Sequence, residues 1–286
     1  MVRSNRDRIP APDEAAANPT PPIDPALQPP PAEDVMNPMH FVVPTEVVDL
    51  PSQGRFYSEG HPLHGCETIE IRHMTAKEED ILTSTTLLKK GLALDKMLQS
   101  ILVNKKIKIG SLLLGDKNAL LVQSRIFGYG PDYETKIQCP ECQEEFSNLF
   151  NLETLENKNC DDEMEKYGIT PTENNTFIVR LPKSGYPVEF RLLTSQDEAD
   201  AARGGKELKS LSMLQAITVS INEQTDRFYI KRALSSLPIL DASILKRAYT
   251  VVTPDIKLSQ EVECPNCGES AEVGVPLDAG FFWPQL

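Results

Sequence analysis

KIQCPECQEEF (Lys136–Phe146) and EVECPNCGESA (Glu261–Ala271) decide how the rest of this chain is read. Each is a Cys-Pro-x-Cys turn set between residues that suit strands. Such a turn aims two thiolates at one point and so fills half of a tetrahedral shell. Structural zinc takes four closed ligands, so neither turn completes a site alone. The four histidines, His40, His61, His64 and His73, all lie upstream of both turns. The economical set is therefore Cys139, Cys142, Cys264 and Cys267 around a single structural Zn2+ per chain. Strand-borne pairs fit a zinc ribbon better than an iron–sulfur cluster. Two disulfides, unligated thiols and a redox dithiol are the competing readings. With four thiolates bound, no position stays open for water or substrate, so the site is expected to be structural.

Working outward from these turns, the two halves of the chain repeat one another. LPSQG (Leu50–Gly54) answers LPKSG (Leu181–Gly185), and EIRHMTAKEE (Glu70–Glu79) answers EFRLLTSQDE (Glu189–Glu198). MLQSILV (Met97–Val103) matches MLQAITV (Met213–Val219). Asp116 and Asp241 stand equally far before Cys139 and Cys264, and the cysteine turns come last. The same order in both halves implies an internally duplicated unit. The expected fold is α+β: strand, helices and a zinc-knuckle hairpin, twice, packed about a pseudo-two-fold axis with a composite four-Cys site. The expected divisions are a disordered Pro-rich arm over 1–40, a first repeat over 41–151, an acidic linker over 152–176 and a second repeat over 177–286. The arm holds 10 of the 23 prolines, too little apolar surface to offset its ordering entropy.

Local signals fill in each unit. Alternation at Ile69 and Ile71, and at Val188 and Phe190, predicts a strand before each threonine. Thr75 with Glu78 predicts a capping box, and Thr194 with Asp197 a weaker one. Helical spacing joins Ile81, Leu82 and Leu88 to Leu94, Leu98, Ile101 and Leu102, with a break at Gly91. Leu208, Leu211, Leu214 and Ile217 repeat it after Gly204-Gly205. Asp116 and Asp241 read as further N-caps, and INEQTDRFYI (Ile221–Ile230) as a hairpin insertion. Cys66 and Cys160 read as bystanders, His61 and His64 as loop residues, and CDDEMEKYG (Cys160–Gly168) as a solvated face.

Composition narrows the function. The chain has 286 residues, 40% apolar and 6% aromatic, so aliphatic side chains must fill most of its core. No apolar run is long enough for a transmembrane helix, and the N-terminal residues lack a signal peptide's apolar region. A disulfide framework is accordingly not expected. A net charge of −13 disfavours nucleic-acid binding, since phosphates need cations. Gly128 and Gly130 are no dinucleotide fingerprint, and no phosphate loop, nucleophile elbow or H-E-x-x-H is present. No catalytic residue is assigned and an enzyme is not expected.

LPSQGRFY (Leu50–Tyr57), MTAKEEDIL (Met74–Leu82) and ALLVQSRIFGYGPDYETKIQCPEC (Ala119–Cys142) resemble the baseplate hub and hub assembly proteins of T4-like contractile-tailed bacteriophages. The resemblance spans roughly 47–285 and is clearest over 50–150. It implies a structural or assembly role in the virion tail baseplate, assembled in the host cytoplasm. Other baseplate and hub proteins are the implied partners, with several symmetric copies per tail and no membrane. A zinc-ribbon nucleic-acid-binding or transcription-associated protein is the alternative, and a metal-stabilised hydrolase a third reading. Acidic flanks (Glu141, Glu144, Glu145, Glu261, Glu263 and Glu269) weigh against nucleic acid, and the closed site weighs against the hydrolase.

Overall fold

In a computed structural model, residues 43–158, 161–203, 210–277 and 279–282 are described. The predicted arm over 1–40, Cys160, Gly204-Gly205 and Leu208 lie outside them. The described chain is mixed α and β with small antiparallel sheets.

Strands β1 (Thr45–Asp49) and β2 (Thr68–Arg72) form an antiparallel pair, with Val48 opposite Ile69. The Leu-Pro-Ser-Gln-Gly turn follows β1. Three helices come next: α1 (Ala76–Thr83), α2 (Thr85–Lys89) and α3 (Ala93–Ile101). Gly91 separates the last two at φ +65°, a conformation few other residues adopt cheaply. Helix α4 (Leu114–Tyr129) leads into the hairpin β3 (Asp132–Gln138) and β4 (Glu145–Asn151).

The segment read as an acidic linker carries structure. Its helix α5 (Asp161–Lys166) packs Met164 against the core, and Tyr167 just beyond the helix does the same. Strand β5 (Thr170–Pro171) then opens a four-stranded antiparallel sheet with β6 (Thr176–Arg180), β7 (Pro187–Arg191) and β8 (Thr218–Ile221). Helices α6 (Ser195–Arg203) and α7 (Ser210–Ile217) lie between β7 and β8. The chain continues through α8 (Arg227–Ser235), α9 (Ile239–Val252) and the hairpin β9 (Ser259–Glu263) and β10 (Ser270–Gly274).

Residues expected to form a hairpin insertion instead turn tightly through Asn222 and Glu223, both at positive φ, and enter α8. Asp226 caps that helix by accepting from the Tyr229 amide at 2.7 Å. Periodicity over ten residues is too short to separate a turn plus helix from a hairpin. One apolar core runs from Val48 to Phe282, joining Met97, Leu98 and Ile101 with Phe177, Phe190 and Val252. Arg125 is buried in it and donates to the carbonyls of Phe281, Gly130 and Asp132. It ties the end of α4 to the start of β3 and to the C-terminal 3-10 turn.

The two threonine signals are closely matched in space. Thr75 donates from its amide and hydroxyl to Glu78, at 3.0 and 2.7 Å, and Arg72 grips the same carboxylate with both terminal nitrogens. Thr194, Asp197 and Arg191 repeat the arrangement. Burial alone would raise the Glu78 carboxyl, but Arg72, Ser100 and Thr75 outweigh it and hold it down at about 2. Asp197 likewise sits below the usual carboxylate range, with Arg191 and Thr194 overcoming burial. Folding therefore favours ionised Glu78, whose contribution is complete above about pH 4.5 and is lost as pH falls toward 2. In urea titrations the stability gap between the wild type and Glu78→Gln is expected to close over that window. A gap that ignores pH would show that the carboxylate is not held by these partners.

Asp116 and Asp241 are not the N-caps that local rules predict. Leu113 and Pro238 occupy the N-cap positions, and each aspartate lies in the first turn, fully buried. Asp116 accepts from the Ser52 amide at 3.0 Å and from the Ser52 and Tyr57 hydroxyls, both at 2.6 Å. Asp241 accepts from the Lys183 and Ser184 amides, both at 2.8 Å. Each carboxylate thus clamps the Leu-Pro-x-x-Gly loop of its own half onto a helix start, satisfying amides that a cap would have left to water.

Candidate metal centre

Each cysteine turn is closed by a hydrogen bond that extends the ladder of the strands on either side of it. Cys139 donates its amide to the Glu144 carbonyl at 3.0 Å, and Cys264 to the Glu269 carbonyl at 2.9 Å. The Gln143 amide reaches the Cys139 carbonyl, and Gly268 reaches that of Cys264. Gln143 and Gly268 take the same left-handed conformation, φ +64° and +74°. Glycine adopts it freely, whereas glutamine adopts it at a cost of about 1 kcal/mol. The tip of each hairpin therefore has one shape despite different residues.

These tips meet. The Sγ atoms of Cys139, Cys142, Cys264 and Cys267 all lie within 4.8 Å of one another. Cys139 to Cys267 and Cys142 to Cys264 are both 3.8 Å. A disulfide would need sulfurs about 2.05 Å apart, so these are free thiols. Zinc–sulfur bonds of about 2.3 Å give a tetrahedron with edges of about 3.8 Å. Donor type and spacing therefore fit one tetrahedral thiolate-bound ion. Cys139 and Cys264, the first of each pair, are buried, while Cys142 is half-buried and Cys267 exposed.

Backbone amides favour negative charge at the sulfurs of Cys142 and Cys267. The Glu144 amide, with Asn266 beside it, lowers the Cys142 thiol to about 7. At Cys267 the Glu269 amide acts in the same sense, but desolvation and the Cys264, Cys142 and Cys139 sulfurs push that thiol up to about 12. The Asn266 side chain donates to Cys142 Sγ at 3.6 Å across the two turns. Sequence reasoning did not single out Asn266, whose only signal was its place inside Cys-Pro-x-Cys.

Other titratable candidates serve the scaffold. His61 stacks on Tyr57 with centroids 4.4 Å apart, accepts from the Leu63 amide at Nδ1 and meets the Ser111 hydroxyl at Nε2. Desolvation lowers its pKa, which keeps the ring neutral. His64 donates from Nδ1 to the Tyr57 carbonyl, and the Cys66 thiol to the Pro62 carbonyl. No helix among the described residues is long and apolar enough to cross a membrane.

Segment 151–158 ties the hairpins together at their bases. Lys158 donates its amide to the Asp255 carbonyl and Lys257 to that of Glu156, both at 2.8 Å. The Gln260 side chain reaches the Asn151 carbonyl and the Thr154 hydroxyl. Comparison with known proteins finds a family described as T4 bacteriophage base plate protein, whose model matches residues 43–283. No curated protein and no solved structure matches the chain.

Proposed function

This chain belongs to the T4 bacteriophage base plate protein family, and from that premise we propose that it is a structural or assembly component of the baseplate hub, stabilised by one zinc ion on Cys139, Cys142, Cys264 and Cys267. The observation that carries the metal assignment is the meeting of four sulfurs from two hairpins, β3–β4 and β9–β10, that lie far apart in the chain. Its role is contact with other hub and baseplate proteins in the tail, without catalysis. The exposed carboxylates of Glu141, Glu144, Glu145, Glu261, Glu263 and Glu269 surround the knuckles and disfavour the nucleic-acid alternative.

A duplicated unit underlies the site, with first and second repeats over 41–151 and 177–286. Strand pairing supports this reading: Ile71 bridges Leu102, and the matching Phe190 pairs with Thr218. The two acid–threonine–arginine clusters and the two loop-clamping aspartates support it as well. Crosswise sulfur pairing is the pattern of a local two-fold axis at the knuckles.

Elemental analysis of the purified chain should find about one zinc per polypeptide, and cobalt substitution should give the thiolate-to-metal charge-transfer absorption of a tetrahedral sulfur site. Failure to retain either ion would remove the metal from the proposal. The hub role is read separately, from chain-specific peptides in purified tails and in tail assembly intermediates. Absence from both would overturn it.

A further inference from the structure

The start of α4 and the start of α9 occupy matching places in the two halves, yet among the described residues only one is covered. Around α4, residues 112–114 run antiparallel to residues 193–195. Leu112 accepts from the Ser195 amide at 2.8 Å, Leu114 donates to Leu193 at 3.4 Å, and Leu113 bridges Thr194. This contact buries Leu112, Leu113, Leu193 and Ser195. Around α9 the matching residues are Leu237, Pro238 and Ile239. Ile239 is 80% exposed and Leu240 beside it 45%. A cleft of about 280 Å³ opens next to them, lined by Tyr186, Ile221, Tyr229, Ala233, Leu237 and Pro238.

The piece that would cover this face is also left open in the same molecule. Residues 193–195 match Met74, Thr75 and Ala76 at the junction of β2 and α1, where Thr75 and Ala76 are exposed. The chain therefore ends one side with an unfilled socket and the other with an unused plug.

We propose that a second copy of this chain docks its Met74–Ala76 junction onto the Leu237–Leu240 face, repeating between molecules the contact that joins the two halves within one. The backbone permits it. By correspondence, the Ala76 amide donates to the Leu237 carbonyl, and the Ile239 amide donates to the Met74 carbonyl. Pro238, which has no amide hydrogen, falls at the position whose counterpart, Leu113, donates not to that junction but to the Tyr57 hydroxyl. Proline is thus tolerated there. A contact that joins unlike surfaces is heterologous, so repetition builds a ring if the rotation closes and a filament if it does not. The inference rests on the matched halves and not on the metal.

Two variants test it, Ile239→Arg at the socket and Ala76→Arg at the plug. Both positions are exposed, so the fold and the zinc content should match the wild type. That control separates failure of this inference from failure of the metal reading. By light scattering during size exclusion, the wild type should exceed its 31.8 kDa monomer mass as concentration rises, while each variant alone falls back towards it. Mixing the variants should restore association only as far as a one-to-one dimer, because one plug and one socket remain. A wild type that stays monomeric at about 100 µM, the range of weak contacts, would overturn the proposal. So would a socket variant that associates normally. If only the socket variant blocks association, another segment fills the cleft and the second-copy assignment is wrong.

Discussion

Cys264→Ser is expected to reduce zinc from about one per chain to nearly none and to weaken the folded state sharply. Cys264 is buried where the two hairpins touch, and its Sγ lies 3.8 Å from that of Cys142. Serine replaces a soft thiolate with a poorly acidic hydroxyl and leaves three ligands. Each hairpin has only two strands and is marginal without support. Binding that occurs only in the folded state stabilises it by mass action. The loss amounts to about 4 kcal/mol where free zinc stands roughly a thousandfold above the wild-type dissociation constant. Urea unfolding with and without a chelator checks this. Chelation should bring the wild type down towards the variant and leave the variant unmoved, while Cys66→Ser should resemble the wild type. If Cys264→Ser keeps its metal and its midpoint, the four-sulfur assignment fails.

Gly115→Ala is expected to destabilise the protein by about 3 kcal/mol, the upper range for overpacking a core. Helix propensity predicts the opposite sign, since alanine normally gains about 1 kcal/mol over glycine within a helix. The neighbours decide the outcome. A Cβ on Gly115 would stand 2.7 Å from the Pro254 carbonyl carbon and 2.8 Å from the Asp255 Cα. Both are backbone atoms, and the Asp255 side chain is also held by Asn118 at 3.1 Å. Relief requires α4 to move away from the second half, which also strains the Leu112–Ser195 hydrogen bond. Gly128→Ala is the comparison: its Cβ meets only the tip of the flexible Met74 side chain. Denaturant midpoints for the two variants should therefore diverge widely. Equal midpoints would mean that the helix does not pack this closely.

Particular residues show why some of this was legible in the sequence. Threonine followed by an acid three positions later works within one turn of helix, so Thr75 with Glu78 and Thr194 with Asp197 appear as predicted. Cys-Pro-x-Cys fixes its own turn, and thiolate chemistry limits what four such sulfurs can do. Asp116 and Asp241 misled the local reading because their partners, Ser52 and Lys183, are distant in sequence. Arg125 gave no sign of burial, since the three carbonyls that accept its hydrogen bonds come together only when β3 and the C-terminal turn fold against α4. Residues 221–230 were too few for their period to separate a hairpin from a turn and a helix.

The sequence by itself determined the two threonine caps and the sulfur donors, because each depends on forces that act over a few residues. Only the tertiary structure decided where the aspartates point, that Gly115 touches Pro254, and that the start of α9 stays open while that of α4 is covered. Those outcomes depend on which distant surfaces exclude water together, and no local pattern carries that information.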